Sequence, residues 1–474
     1  MHGQLSLFFT SALILLYSKK ASLMPSPILL TDSQVQAYLT SGYITVQTAH
    51  PPAVHQNIHR QIETLFATEG NPGNDILPKV PDLYQILRDP AVDGALQSLL
   101  GPSYLIHPHR HCHHNTSGSK GQGMHQDSYE NDQNVRHHRT RWIMAFYYPQ
   151  DVSLDMGPTA VLPATQYYNS SKQAYEREEQ PLCGRAGTVT IVHYDLWHRA
   201  MPNASDRDRF MVKFLFTRMG EPQTPSWDHR DGTWQAEGID PPAELCRRAW
   251  DWMRGTDGTA VPTAVSLDET SASSVESLRQ TLDAETEAER LRTVYALAAR
   301  GEDAVPVLLN ALRSEAAARL ETNIANAHTN PSQLDAVFAL SAVGRPAVPH
   351  MVELLNENDW WLRAAAADVL GDLGTTASDT VPHLTRALDD EAEWVRRNAI
   401  EALGNIGPVA ADAVPALSCR LRDSESWIRH NAALSLAKIG PAAAEAVPAL
   451  HKNIDDEDRY ARANAAVALE RIGI

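Results

Sequence analysis

The stretch Gly123-Met124-His125-Gln126-Asp127, answered by Trp197-His198-Arg199-Ala200-Met201-Pro202-Asn203 and then by Arg209-Phe210-Met211-Val212-Lys213-Phe214-Leu215-Phe216, decides how the first half of the chain folds. In an extended strand, residues i and i+2 share a face, so His125 and Asp127 point together while Gln126 points away. The segments around them read as strands and turns. Residues 141–148 (RWIMAFYY) have the aromatic and β-branched content of a core strand. Residues 157–163 (GPTAVLP) read as a turn into a short strand, 187–192 (GTVTIV) as a strand that delivers His198, and 209–216 as the next.

A His-x-Asp tripeptide is weak on its own, since 20 histidines in 474 residues give roughly one by chance. Three occur. His229-Arg230-Asp231 sits among Pro225, Asp228 and Gly232 with no later strand, and reads as a turn. His193-Tyr194-Asp195 is followed at strand distance only by His198, whose parity is wrong for the same face. That leaves His125, Asp127 and His198, with hydrogen-bonded loop polars as the alternative. Two imidazole nitrogens and one carboxylate on one face of an octahedron leave three open positions, the set used for Fe(II) and O2 chemistry with room for a bidentate 2-oxoacid. Arg209 opens an otherwise apolar strand, where a rigid, permanently charged fork suits a carboxylate; an ordinary surface arginine beside Arg207 and Asp208 is the alternative.

On these segments, residues from about 28 to 255 resemble the phytanoyl-CoA dioxygenase family of Fe(II)- and 2-oxoglutarate-dependent oxygenases. The resemblance implies an all-β double-stranded β-helix, a jelly-roll relative, with flanking helices. It implies that His125, Asp127 and His198 bind Fe(II), that Arg209 holds the far carboxylate of 2-oxoglutarate, and that O2 is the second cosubstrate. Asn115, in His113-His114-Asn115-Thr116, resembles the family position where a strand asparagine touches the cosubstrate. The carboxylate at Asp127 favours hydroxylation over halogenation, because halogenating relatives carry a small residue there. The expected substrate is a small organic metabolite. Gln126, Arg139 and Arg141 are candidate substrate contacts, the two arginines lying in the dense basic run 136–141 (RHHRTR), for which a solvated loop is the alternative. His107, His109, His111 and His113 alternate and share a strand face. Without a Cys-x-x-Cys partner they read as a polar lining of the pocket mouth in preference to a second metal site, and Cys112 has the opposite parity.

The second half repeats itself. Trp361, Trp394, Trp427 and Tyr460 recur every 33 residues, with Arg363, Arg396, Arg429 and Arg462 two positions later and Gly374, Gly407, Gly440 and Gly473 closing each unit. A Val-Pro pair keeps the period at Pro349, Pro382, Pro415 and Pro448, suiting the first turn of a helix. Each unit therefore reads as helix, turn, helix, and such units bury their apolar faces only by stacking. They resemble HEAT-like repeats of the phycobilisome-lyase type, and Glu357, Asp390, Asp423 and Asp456 resemble the acids of an acid–arginine ladder between units. A degenerate copy precedes them at 287–312, with an insertion of about ten residues expected near 323–333.

The expected organisation is an apolar N-terminal extension at 1–27, an oxygenase domain at 28–255, a polar linker at 256–272 and an all-α solenoid at 273–474. The formal charge of −17 argues against nucleic acid or an anionic membrane surface, leaving a protein partner, or self-association, for the solenoid. Cysteines at 112, 183, 246 and 419, without paired spacing, suggest a reducing compartment. Leu5 to Tyr17 is apolar but short and lacks a preceding basic region, so a cytoplasmic protein is expected, with a signal peptide as the alternative. Two further readings stand beside the oxygenase: a HEAT scaffold with a degenerate barrel, and an oxygenase acting on a protein- or carrier-bound substrate.

Overall fold

The computed structural model describes residues 26–127, 138–169, 174, 176–235, 243–256, 274–321 and 334–473. The apolar stretch at 5–17, all but the first residue of the expected linker and the expected insertion lie outside the described residues.

Helix α1 (Asp32–Ser41) starts at a capping box between Thr31 and Gln34 and stops at Gly42, whose φ of 83° is open to glycine at little cost. It feeds β1 (Tyr43–Gln47). Helices α2 (Pro52–Glu69) and α3 (Pro90–Leu100) follow, each with proline in its first turn. The strands are β2 (Leu105–Asn115), β3 (Trp142–Tyr147), β4 (Thr159–Val161), β5 (Gln180–Pro181), β6 (Thr188–His193), β7 (His198–Ala200) and β8 (Arg209–Thr217). They form a five-stranded antiparallel sheet in the order β1-β6-β3-β8-β2 and a three-stranded sheet in the order β5-β4-β7. The described strands do not close into a barrel: those of the smaller sheet have two or three residues each, too few to wrap around the larger one.

Every residue of β8 is buried, yet its two faces differ. Phe210, Val212, Phe214 and Phe216 point outward with Ile143, Ala145 and Tyr147 of β3 and pack on Val35, Leu39, Ile58, Ile62 and Leu96 from α1, α2 and α3. Met211 and Leu215 point inward with Trp142, Met144 and Phe146, into a cluster continuous with the core of the repeats. Arg209 and Lys213 share that inner parity, so the sheet carries its charges into a covered face.

After α4 (Ala243–Met253) come α5 (Glu287–Ala298), α6 (Val305–Glu321), α7 (Asp335–Val343), α8 (Val348–Leu354), α9 (Trp360–Leu373), α10 (Val381–Ala387), α11 (Glu393–Ile406), α12 (Val414–Arg420), α13 (Ser426–Ile439), α14 (Val447–Asn453) and α15 (Arg459–Ile472). Each regular unit pairs a seven-residue helix that begins at Val-Pro with a fourteen-residue helix that ends at a glycine of positive φ. The arginine ladder is present. Arg363 donates to both oxygens of Asp390 at 2.7 and 2.8 Å, Arg396 to those of Asp423 at 3.1 and 3.2 Å, and Arg429 to those of Asp456 at 2.8 and 2.9 Å. The remaining nitrogen of each guanidinium binds two backbone carbonyls of its own unit, at 357 and 358, 390 and 391, and 423 and 424. One guanidinium therefore stitches a turn and the following repeat together.

The row of long helices sits on the first domain. Arg141, 2% exposed, donates to Glu221 Oε1 at 2.8 Å and to Asp372 of α9, and Trp252 Nε1 donates to Glu221 Oε2 at 2.9 Å. The His138 ring stacks on Phe338 with centroids 3.9 Å apart and shares a 2.5 Å hydrogen bond with the Tyr295 hydroxyl. Arg139 also binds Asp372. The described part of the basic run is thus buried at the junction of the domains instead of being a solvated loop. Because Arg396 joins two units and a turn, Arg396→Ala should lower the stability of the chain by about 2–4 kcal/mol. Arg396→Lys, which cannot make the same fork, should recover less than half of it, as read from urea unfolding midpoints.

Candidate metal centre

The site begins with two backbone hydrogen bonds. His125 N donates to His198 O and His198 N to His125 O, both at 2.9 Å, an antiparallel bridge that adds the 125 segment beside β7 on the smaller sheet. Facing residues of such a bridge put their side chains on the same side. Each imidazole is then turned by its own Nδ1, which bonds a carbonyl two residues back: His125 to Gly123 O and His198 to Leu196 O, both at 2.9 Å. The free Nε2 atoms both lie 3.8 Å from Asp127 Oδ1. These three ligand atoms fall within 4.8 Å of one another, and among the described residues no other group of three such side chains does so.

Electrostatics favours the ligating forms. Burial pushes the His198 pKa down to about 4 against the pull of Asp127, so its imidazole is neutral at pH 7. Burial alone would raise the Asp127 pKa, but the Lys213 ammonium 2.8 Å from Oδ2 and the two imidazoles outweigh it and hold the carboxyl well below the usual carboxylate range. Asp127 and Lys213 side chains are each 2% exposed, whereas the His125 side chain is 39% exposed, so the centre opens toward solvent on the His125 side.

Arg209 lies on the inner face of β8, fully buried. Its Nε and Nη2 donate to Gly157 O at 3.1 and 2.8 Å, while Nη1 is buried without a partner among the described residues. Asn115 stands opposite Arg209 in the β2–β8 register and also donates to Gly157 O, at 2.9 Å, and to Met201 O at 3.0 Å. At Gly157, with φ 66°, an added Cβ would come within 2.5 Å of both Asn115 Nδ2 and Met201 O, so the turn accepts only glycine. Asn115 is thus anchored in the wall of the site by backbone carbonyls.

Other expected site residues lie elsewhere. Gln126 is buried, and its amide donates to Tyr168 O and Asp195 O at 2.9 and 2.6 Å, bracing the loop that carries the ligands. Arg139 and Arg141 direct their guanidinium groups to Asp372 and Glu221 at the domain junction. Lys213, which the sequence did not single out, joins the site together with His113 of the histidine ladder. Lys213 binds Asp127, and its parity with Arg209 was the available signal. His113, in register with Met211 beside Arg209, has a buried Nε2 without a partner among the described residues.

Two parts of the chain match known families. The family model for phytanoyl-CoA dioxygenase (PhyH) matches residues 38–211, and that for HEAT repeats matches residues 323–404 and 381–470. No curated protein matches the chain. Similar solved structures include the non-heme alpha ketoglutarate dependent carbocyclase SnoK from nogalamycin biosynthesis, 17% identical over 41% of this chain and 88% of that one, TM-score 0.36. The non-heme monooxygenase ThoJ in its nickel complex is 17% identical over 45% of this chain and 93% of that one, TM-score 0.34. HygX from Streptomyces hygroscopicus with nickel and 2-oxoglutarate bound is 12% identical over 40% of this chain and 87% of that one, TM-score 0.33. A His–Asp–His triad consistent with iron binding, set within the match at 38–211, identifies the first part of the chain as a phytanoyl-CoA dioxygenase domain, followed by HEAT repeats over 323–470.

Proposed function

We propose that residues 28–255 form an Fe(II)- and 2-oxoglutarate-dependent oxygenase of double-stranded β-helix type that uses O2 to hydroxylate a C–H bond of a small organic metabolite. The observation that carries this reading is the convergence of two free Nε2 atoms and one carboxylate oxygen beside a buried arginine with an unused donor. Iron held there would supply the oxidation, with 2-oxoglutarate and O2 as its co-reactants. The protein's own residues set the rest. The Nδ1 hydrogen bonds fix both imidazoles with Nε2 forward. Lys213 holds Asp127 Oδ2, so Oδ1 alone is offered to a metal. Arg209 Nη1 supports the assignment of the far cosubstrate carboxylate to this guanidinium, and Asn115 fixes the wall beside it. Trp142, Met144, Phe146, Met211 and Leu215 line the inner face with apolar surface that keeps water from the reacting centre.

Residues 273–474 form the repeat domain, and its surfaces away from the oxygenase domain are the place for a protein partner. None of the four cysteines, all among the described residues, forms a disulfide, which favours the cytoplasm. No helix among the described residues is long and apolar enough to cross a membrane.

Succinate release from 2-oxoglutarate with Fe(II) and O2 tests the reading. Wild type should turn over, His125→Ala should fall at least 100-fold, and Arg209→Ala should raise the KM for 2-oxoglutarate at least 100-fold while iron still binds; no turnover in iron-replete wild type would contradict it. Lys213→Met should weaken Fe(II) binding by roughly 10–100-fold, the range for a residue that orients a ligand, in an anaerobic titration. Unchanged affinity there would mean that Lys213 does not orient Asp127.

A further inference from the structure

The inner face of the larger sheet can be followed in register. Arg209 faces Asn115, Met211 faces His113, and Lys213 faces both His111 and Phe146. Beyond Lys213 come Leu215 beside Met144 and Thr217 beside Trp142. The cosubstrate arginine stands at one end and the metal ligand Asp127 is tied to Lys213, so the part of the face beyond Lys213 is where another molecule can approach the open side of the metal. That end is closed by the second domain. The Tyr460 hydroxyl, on α15 of the last repeat, shares a 2.8 Å hydrogen bond with His109 Nδ1 and accepts one of 3.0 Å from Asn74 Nδ2. Its ring stacks on His107 at 5.7 Å, and His107 meets Trp142 edge-on at 5.4 Å. His430 of α13 lies 5.8 Å from the same ring.

Tyr460 departs from its own repeat. At the equivalent position the earlier units carry Trp361, Trp394 and Trp427. Trp394 and Trp427 pack on each other at 5.1 Å within the array. Of these units the last has tyrosine, and its hydroxyl bonds His109 and Asn74 of the oxygenase domain. Tyr460 is 3% exposed. His109 is two residues from His111, the partner of Lys213, so the capped end lies about 7 Å along the strand. Burial keeps the wall uncharged, with His109 pushed down to about 3.

We propose that the last repeat is a fixed wall of the substrate cavity, with Tyr460 as a specificity-determining residue that limits how far a substrate can extend from the metal toward the repeats. This rests on the oxygenase reading above. The test compares full-length wild type, Tyr460→Ala and Tyr460→Phe. Diethyl pyrocarbonate labelling is read by mass spectrometry at His107 and His109 against His350, whose side chain is 42% exposed. In wild type and Tyr460→Phe, which keeps the ring on His107, labelling of His107 and His109 should be at least ten-fold slower than at His350. In Tyr460→Ala it should rise at least five-fold. Free small molecules that stimulate succinate release by wild type should show KM raised at least ten-fold in Tyr460→Ala with kcat within two-fold. Wild-type labelling at the His350 rate or an unchanged KM in Tyr460→Ala would overturn the proposal. Anaerobic formation of the Fe(II)–2-oxoglutarate complex separates the two claims. Its absence in wild type contradicts the oxygenase reading, whereas an intact complex with unprotected histidines contradicts the wall alone.

Discussion

The paired backbone hydrogen bonds between His125 and His198 are the constraint on which the rest of the structure depends. They fix the register between two segments more than seventy residues apart, and register in a sheet decides which face every side chain takes. A slip of one residue would turn one imidazole away and leave Asp127 beside Lys213 as a buried ion pair with no metal function. The surrounding fold makes such a slip costly. The smaller sheet holds His198 against Val161, Gln126 is bonded to two carbonyls behind the site, and Asn115 and Arg209 converge on one carbonyl at Gly157.

Much of this could be read from sequence where the governing rule is local. Strand parity placed His125 with Asp127 and set Cys112 apart from the histidine ladder, as the structure shows by burying Cys112 in the outer cluster. The 33-residue period located the repeat helices and the ladder arginines, because each unit repeats its own chemistry. The residues that were misjudged have partners far along the chain. Arg141 reads as a solvated or substrate-steering arginine until Asp372, 231 residues away, is brought against it. Tyr460 reads as one more repeat aromatic until His109, 351 residues away, meets its hydroxyl. The open, two-sheet form was also out of reach, since strand length in the smaller sheet is set by the turns that interrupt it.

Why the two domains hold one another is a question of kind as well as amount of interaction. The Arg141, Glu221 and Asp372 group is buried, and buried ion pairs recover their desolvation cost only with good geometry, so their contribution is orientation more than stability. The apolar contacts around them, His138 on Phe338 and the cluster running from the inner face of the sheet into the repeats, supply the burial that stabilises the association. A solenoid fixed in this way is unlike a tethered recruitment arm, whose inner row would stay open to an outside partner.

The central claim is that the metal binds at His125, Asp127 and His198 and nowhere along the ladder. X-ray absorption at the iron edge, on full-length protein loaded anaerobically with Fe(II) before and after adding 2-oxoglutarate, tests it most directly. The account predicts one iron per chain with two imidazole ligands, the remaining donors oxygen, and a change confined to the oxygen shell when the cosubstrate chelates. Three or more imidazoles around the iron, or a spectrum that survives His198→Ala unchanged, would place the metal elsewhere and contradict it.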